Sequence, residues 1–143
     1  MTVARADIVS EARTHIGTPW VHQGRTPGLA LDCAGLLIVV ARSLELVGQD
    51  FDINGYSRIP DGTMLRWCDE HMQRLPDIEL GAALVLATKD EPQHMGIVGD
   101  YLHGGWSLIH SCNAAKPPRV IETRLMFASN LKLRGIYRMP GVA

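Results

Sequence analysis

One stretch limits what this chain can fold into more than any other. From Cys33 to Leu46 the residues Ala34, Leu36, Leu37, Ile38, Val39, Val40, Ala41 and Leu44 leave almost no polar face. A helix that is apolar nearly all round belongs at the centre of a domain, with other elements packed about it. The residues before it, Thr18 to Leu31, contain Pro19, Gly24, Pro27 and Gly28 and read as a turning loop. Asp32 and Cys33 stand where that loop becomes helix. Unpaired backbone N–H groups and the positive end of the helix dipole favour an anion there, and a thiolate is an anion. Cys33 is therefore a candidate nucleophile. The ordinary alternative is that it is a small buried hydrophobe.

A cysteine nucleophile needs a base, and the base needs an orienting partner. His94, in Gln93-His94-Met95-Gly96-Ile97, opens a strand-like apolar run, and His110, in Leu108-Ile109-His110-Ser111, closes another. Cys112 lies two residues after His110, on the same strand face, and is a rival thiol that lacks a helix start. Cys68 and His71 fall in a segment of helical period with no partner spaced to complete a metal set, so both are expected to be structural.

The rest of the chain places these groups on elements. A helix is predicted from about Ala4 to Ile16, with Ile8, Ala12 and His15/Ile16 packing and Gly17 as its stop. After the central helix, Val47 to Gly62 reads as a connecting loop, with Tyr56-Ser57-Arg58 on the far rim of a cleft. A third helix is predicted from Thr63 to Gln73, capped by Asp61 or Thr63. Five short strands follow, over 83–87, 95–98, 106–109, 119–122 and 133–138. Asp90-Glu91-Pro92 turns the chain just before His94, Gly104-Gly105 marks a hairpin, and His103 at that hairpin's tip reads as a solvated residue. Helices first and strands second predict an α+β fold, the central helix packed on a curled antiparallel sheet.

At 143 residues the chain is expected to be one domain, 1–143. A net charge of -1, with 20% charged residues, gives it no bulk attraction for nucleic acid or anionic lipid. Arg5, Asp7, Glu11 and Arg13 interrupt any signal-peptide core and no segment is long and apolar enough to span a bilayer, so synthesis in a cytoplasm without a signal peptide is predicted, with no membrane insertion. Three cysteines without a C-x-x-C pair argue against a disulfide framework or a zinc site, and no metal or cofactor is expected.

Taken in order, Gly17-Thr18-Pro19-Trp20, Asp32-Cys33-Ala34-Gly35-Leu36, His94-Met95-Gly96-Ile97 and Ile109-His110 resemble the motifs of the NlpC-type cell-wall cysteine peptidases, a papain-like family. The Gly-Thr-Pro-Trp-x-His-Gln form of the first motif is similar to the branch found in phage tail regions. The resemblance runs from the first helix to about Ser111. It implies a papain-like NlpC-type fold with Cys33 as nucleophile, His94 as base and His110 as orienter. The implied partner is the peptidoglycan stem peptide, cut between D-glutamate and the diamino acid. The implied setting is a phage or prophage tail, with other tail proteins as partners and delivery to the cell wall.

In the family the Asp before the cysteine is thought to grip the free amine of the stem, helped by a following Ser. Here those positions are Asp32 and Ala34. Trp20 stands near the family's Tyr, which donates a hydrogen bond to the oxyanion. An indole has only its N–H to offer, so Gln23 or His22 is the alternative donor. These two departures keep two other readings open: a catalytically inactive structural or assembly protein of the tail tip, and a cysteine amidase or acyltransferase of the same fold.

Overall fold

The computed structural model describes residues 2–53, 56, 62–87, 94–127 and 131–143. The chain begins with α1 (Arg5–Arg13), which buries Ile8, Val9 and Ala12. After it the backbone reverses at Gly17, whose φ of 96° is open to glycine. His15 is buried as expected, but Ile16 is 46% exposed, because the helix has already ended. The expected loop then holds a two-stranded hairpin, β1 (Arg25–Thr26) and β2 (Ala30–Leu31). Strands of two residues have no period for a sequence to reveal.

The central helix, α2 (Cys33–Ser43), has eight consecutive buried residues, Ala34 to Ala41. It packs against α1 and against two strands of the main sheet. Each Leu, Ile or Val so buried contributes about 1.5–3 kcal/mol, and α2 supplies five of them in a row from Leu36 to Val40. It ends three residues earlier than its apolar pattern predicts. Glu45 takes a left-handed φ of 58°, its N–H donates to the Arg42 carbonyl and that of Leu46 to the Ala41 carbonyl, a Schellman closure made without glycine.

Next come α3 (Thr63–His71) and β3 (Gln73–Arg74). The N-cap of α3 is Gly62, with φ of 84°, rather than Thr63. The other proposed cap, Asp61, lies outside the described residues, as do Ser57, Arg58 and the turn Asp90-Glu91-Pro92. Strands β4 (Ala83–Ala87), β5 (His94–Asp100), β6 (Trp106–Cys112), β7 (Arg119–Arg124) and β8 (Lys132–Arg138) complete the chain. The sheet is antiparallel with strand order β3-β8-β4-β5-β6-β7. It has one strand more than predicted, because the exposed pair Gln73–Arg74 adds to the β8 edge. Gly104 and Gly105, both at positive φ, turn β5 into β6 as expected.

The central strands are covered on both faces, so β4 and β5 are buried along nearly their whole length. Val85, Met95, Ile97, Ile109 and Val120 join the helices in the main core. Leu84, Leu86, Val98, Leu108 and Ile136 form a second cluster, on the opposite face by strand alternation. Among the described residues no helix is long and apolar enough to cross a membrane.

Candidate active site

The start of α2 is held by one carboxylate. Asp32 is only 3% exposed. Its Oδ1 accepts from the Gly35 N–H at 2.7 Å, capping the helix, and from Arg25 Nη1 at 3.0 Å. Its Oδ2 accepts from the Gln23 N–H at 2.7 Å and from the Tyr56 hydroxyl at 2.5 Å. Arg25 in turn donates to Asp52, to the Ile53 carbonyl and to the Tyr56 oxygen. Burial favours proton loss from Arg25, and its bonds to Asp52 and Tyr56 with the charge of Asp32 outweigh that, so its pKa is raised. Burial first and the Asp32 bond second push the Tyr56 hydroxyl well up. A buried charge lasts only when it is paired and hydrogen-bonded, and this one is.

Gly35 explains part of the Asp-Cys-x-Gly motif: a Cβ there would overlap the Gly24 carbonyl oxygen, against which the first turn of α2 is pressed. Cys33 is the first residue of α2, half-buried, and packs against the main core.

For the amine grip implied by the resemblance, the carboxylate of Asp32 would have to serve the stem's ammonium beside the partners it already holds. Its carboxylate is buried and its contacts are the cap, the guanidinium, a loop N–H and a phenol. Ala34 is buried and lines a cavity beside α2. The side-chain amide of Gln23 donates to the Tyr56 carbonyl at 3.1 Å, so it braces the same loop. His22 meets the Tyr56 ring edge-on. Trp20 is half-buried and bridges Leu31, two residues before Cys33.

The two histidines meet. His94 Nε2 and His110 Nδ1 are 2.5 Å apart, and both residues are buried. His110 Nε2 is 3.1 Å from Thr123 Oγ1 on β7. The glycine of His-x-Gly makes this packing possible, since a Cβ on Gly96 would overlap the Leu108 side chain and crowd the Cβ of His110. The strand of His110 is tied to the loop before the cysteine helix: the Ser111 hydroxyl, one residue past His110, donates to the carbonyl of Leu31, two residues before Cys33, at 2.7 Å. Ala34 and Met95, the chain neighbours of Cys33 and His94, line one cavity. Alternation puts Met95, Ile97 and Ile109 under α2, and His94, Gly96 and His110 on the other face. His94 opens β5, so its ring stands at the end of the strand.

Of the other candidates, Cys68 is buried on α3, and burial first, then Asp69 and Cys33, push its thiol up to about 12. Cys112 ends β6 half-buried. His71 stacks on Trp67, and His103 is exposed. The sequence reading missed Arg25, Tyr56 as an anchor, Ser111 and Thr123. The available signal was Asp32 itself: a carboxylate entering an apolar run demands partners, and Arg25 and Tyr56 flank it in the adjoining loops.

No family model matches the chain, and no curated protein does. Among solved structures it is similar to the crystal structure of the NlpC/p60 domain of peptidoglycan hydrolase SagA, with a TM-score of 0.60 and 23% identity, over 96% of this chain and 100% of that one. The motif order in the sequence and the arrangement of α2 on the sheet thus lead to one architecture: the chain has an α+β, papain-like NlpC-type fold.

Proposed function

We propose that this protein is a cysteine peptidase acting on peptidoglycan peptide stems, with Cys33 as nucleophile, His94 as general base and His110 as its orienter. One observation carries the reading: the nitrogen-to-nitrogen contact of His94 and His110, on the sheet that Ser111 ties to the loop before the cysteine helix. If Nδ1 of His94 takes the thiol proton, its Nε2–H must donate to His110 Nδ1. The remaining proton of His110 is then on Nε2 and donates to Thr123 Oγ1. Thr123 thereby selects the tautomer of the orienter, as the third member of a triad does for its base.

Cys33 Sγ would meet His94 around the start of β5, because Met95 and Ile97 occupy the sheet face below α2. Its attack forms a thioester and breaks the amide, His94 passes the proton to the leaving amine, and water then releases the acyl group. Backbone N–H groups at the helix start would meet the oxyanion. The bond we assign is γ-D-glutamyl–diaminopimelate. Asp32 acts as a positioning residue, so stems with free and acetylated amines should be cut at similar rates. The setting we infer is a phage or prophage tail, in which the protein co-purifies with particles.

Digestion of purified sacculi followed by mass analysis tests the assignment. The parent protein should release fragments ending in γ-D-glutamate, and Cys33→Ala should release none. Equal release by both would overturn it. An inactive tail-tip role draws support from Ala34 and Gln23, one buried and the other bracing a loop; tail association without any release would select that role.

A further inference from the structure

A pair of opposite charges lies just ahead of Cys33, largely out of water. The side chains of Arg25 and Asp32 are 13% and 4% exposed, with Nη1 and Oδ1 3.0 Å apart. The series continues outward: Arg25 Nε donates to Asp52 Oδ1 at 2.7 Å, and Nη2 of Arg42, in the last turn of α2, stands 3.9 Å from Asp52 Oδ2. From the N-cap of α2 to its last turn the signs alternate and cancel in pairs.

Without its partner, Asp32 would work against a nucleophile. An anion one residue before Cys33 opposes the thiolate that the helix start favours, and removal from water strengthens that opposition. The cap itself requires no charge, since Ser or Asn caps a helix as well as Asp does. Here a carboxylate stands at the cap with a guanidinium fixed on it. Arg25 is held at Nε by Asp52, at Nη1 by the Gly24 carbonyl and Asp32, and at Nη2 by the Ile53 carbonyl and the Tyr56 oxygen. The backbone of Gln23 takes a left-handed φ of 59°, uncommon away from glycine, where its N–H donates to Asp32. Two further ionisable neighbours carry no charge: burial pushes the Tyr56 hydroxyl well up and the Cys68 thiol of α3 up to about 12. From β5 the facing group is His94, the proposed base.

We propose that Arg25 sets the reactivity of Cys33: its charge cancels that of Asp32 at the helix start, so that a thiolate can form one residue after a buried carboxylate. This rests on Cys33 being the nucleophile and reaches further, to what makes it one. Arg25 acts through Asp32 as a positioning residue, and all five of its N–H groups are spent inside the protein.

The test is the rate of alkylation of each thiol of the full chain at neutral pH, mapped by mass spectrometry. The reagent is iodoacetamide, which is uncharged and so is not steered by the protein's field. Arg25→Met leaves Asp32 its other three donors and should slow Cys33 about tenfold or more, the effect of one uncancelled charge several ångströms away at an effective dielectric constant of about 20. Arg25→Lys keeps the charge and loses the fork, and should stay within about threefold of the parent. Arg25→Met combined with Asp32→Asn removes both charges and should recover most of the lost rate. Asp52→Asn, at the outer and more exposed end of the series, keeps an acceptor and removes an anion, so it should speed Cys33 about twofold. Cys112 is the internal standard and should change in none of them. A Cys33 rate indifferent to Arg25→Met and Asp52→Asn, or slowed as much by Arg25→Lys and by the double variant as by Arg25→Met, would overturn the role of Arg25 and leave Cys33 the nucleophile. A Cys33 slower than Cys112 in the parent would overturn both.

Discussion

The start of α2 and its flank are built in opposite ways. At the start a single buried carboxylate accepts four hydrogen bonds, and the guanidinium and phenol that serve it bond each other. Along the flank the same helix borders an apolar cavity of about 140 Å³ with methionines in its walls. The nucleophile we propose must be held in one position, and a fully satisfied polar network does that, whereas loose apolar packing along the flank leaves side chains room to adjust.

The contrast can be broken at its catalytic end first. Cys33→Ala and His94→Ala should each lower hydrolysis of stem peptides about 10³-fold or more in a steady-state assay, and Cys33→Ala should do so with the melting temperature nearly unchanged. His110→Asn should retain part of the rate, since an amide can still hold the ring.

Removing the clamp should instead be a stability event. Asp32→Ala leaves the buried Tyr56 and the half-buried Arg25 without their shared acceptor and should cost about 3 kcal/mol or more in denaturant unfolding. By comparison, Ala41→Leu on the loose flank should change stability by less than about 1 kcal/mol, in either direction.

A second satisfied anchor sharpens the comparison because it can be titrated. Glu122 on β7 accepts from Arg13 of α1 and from Ser107, and the Arg13 bonds are the main cause of its lowered pKa. Glu79 is lowered likewise, by Arg138 first and Arg5 after it. For both, the folded value lies below the unfolded value of about 4.3, so the unfolded chain binds more protons in that interval. Their stabilisation is complete above the unfolded value and is lost as pH falls through the folded one. Unfolding free energy measured from pH 6 downward should decline below about pH 4.5, and Glu122→Gln should make that decline shallower while costing about 1 kcal/mol at neutral pH. An unchanged slope would break the analogy with the Asp32 clamp. The smallest effect expected is that of Thr123→Val, about fivefold in turnover with no change in KM, because it removes one neutral hydrogen bond from the orienter.

What the sequence revealed follows from how local each feature is. The centrality of α2 was legible because its apolar run is too long for an ordinary strand and has almost no polar face, and β4 because Ala83-Leu84-Val85-Leu86-Ala87 is a short apolar run. The pairing of His94 with His110 was legible from motif order. The role of Asp32 was not, since its partners lie 7 and 24 residues away and depend on how two loops close over the helix start. Thr123 was hidden for a similar reason, belonging to a strand that meets β6 only through register. The early end of α2 was masked by Leu44 and Leu46, which continue the apolar pattern past a left-handed Glu45.

Time-resolved alkylation with iodoacetamide, mapped by mass spectrometry, tests the central claim most directly. There are three thiols in the chain, and Cys68 should remain slow because its thiol is buried and its pKa raised to about 12. The account predicts that Cys33 is labelled first and that His94→Ala slows its labelling severalfold without changing that of Cys112. Labelling of Cys112 before Cys33, or a Cys33 rate indifferent to His94, would contradict it.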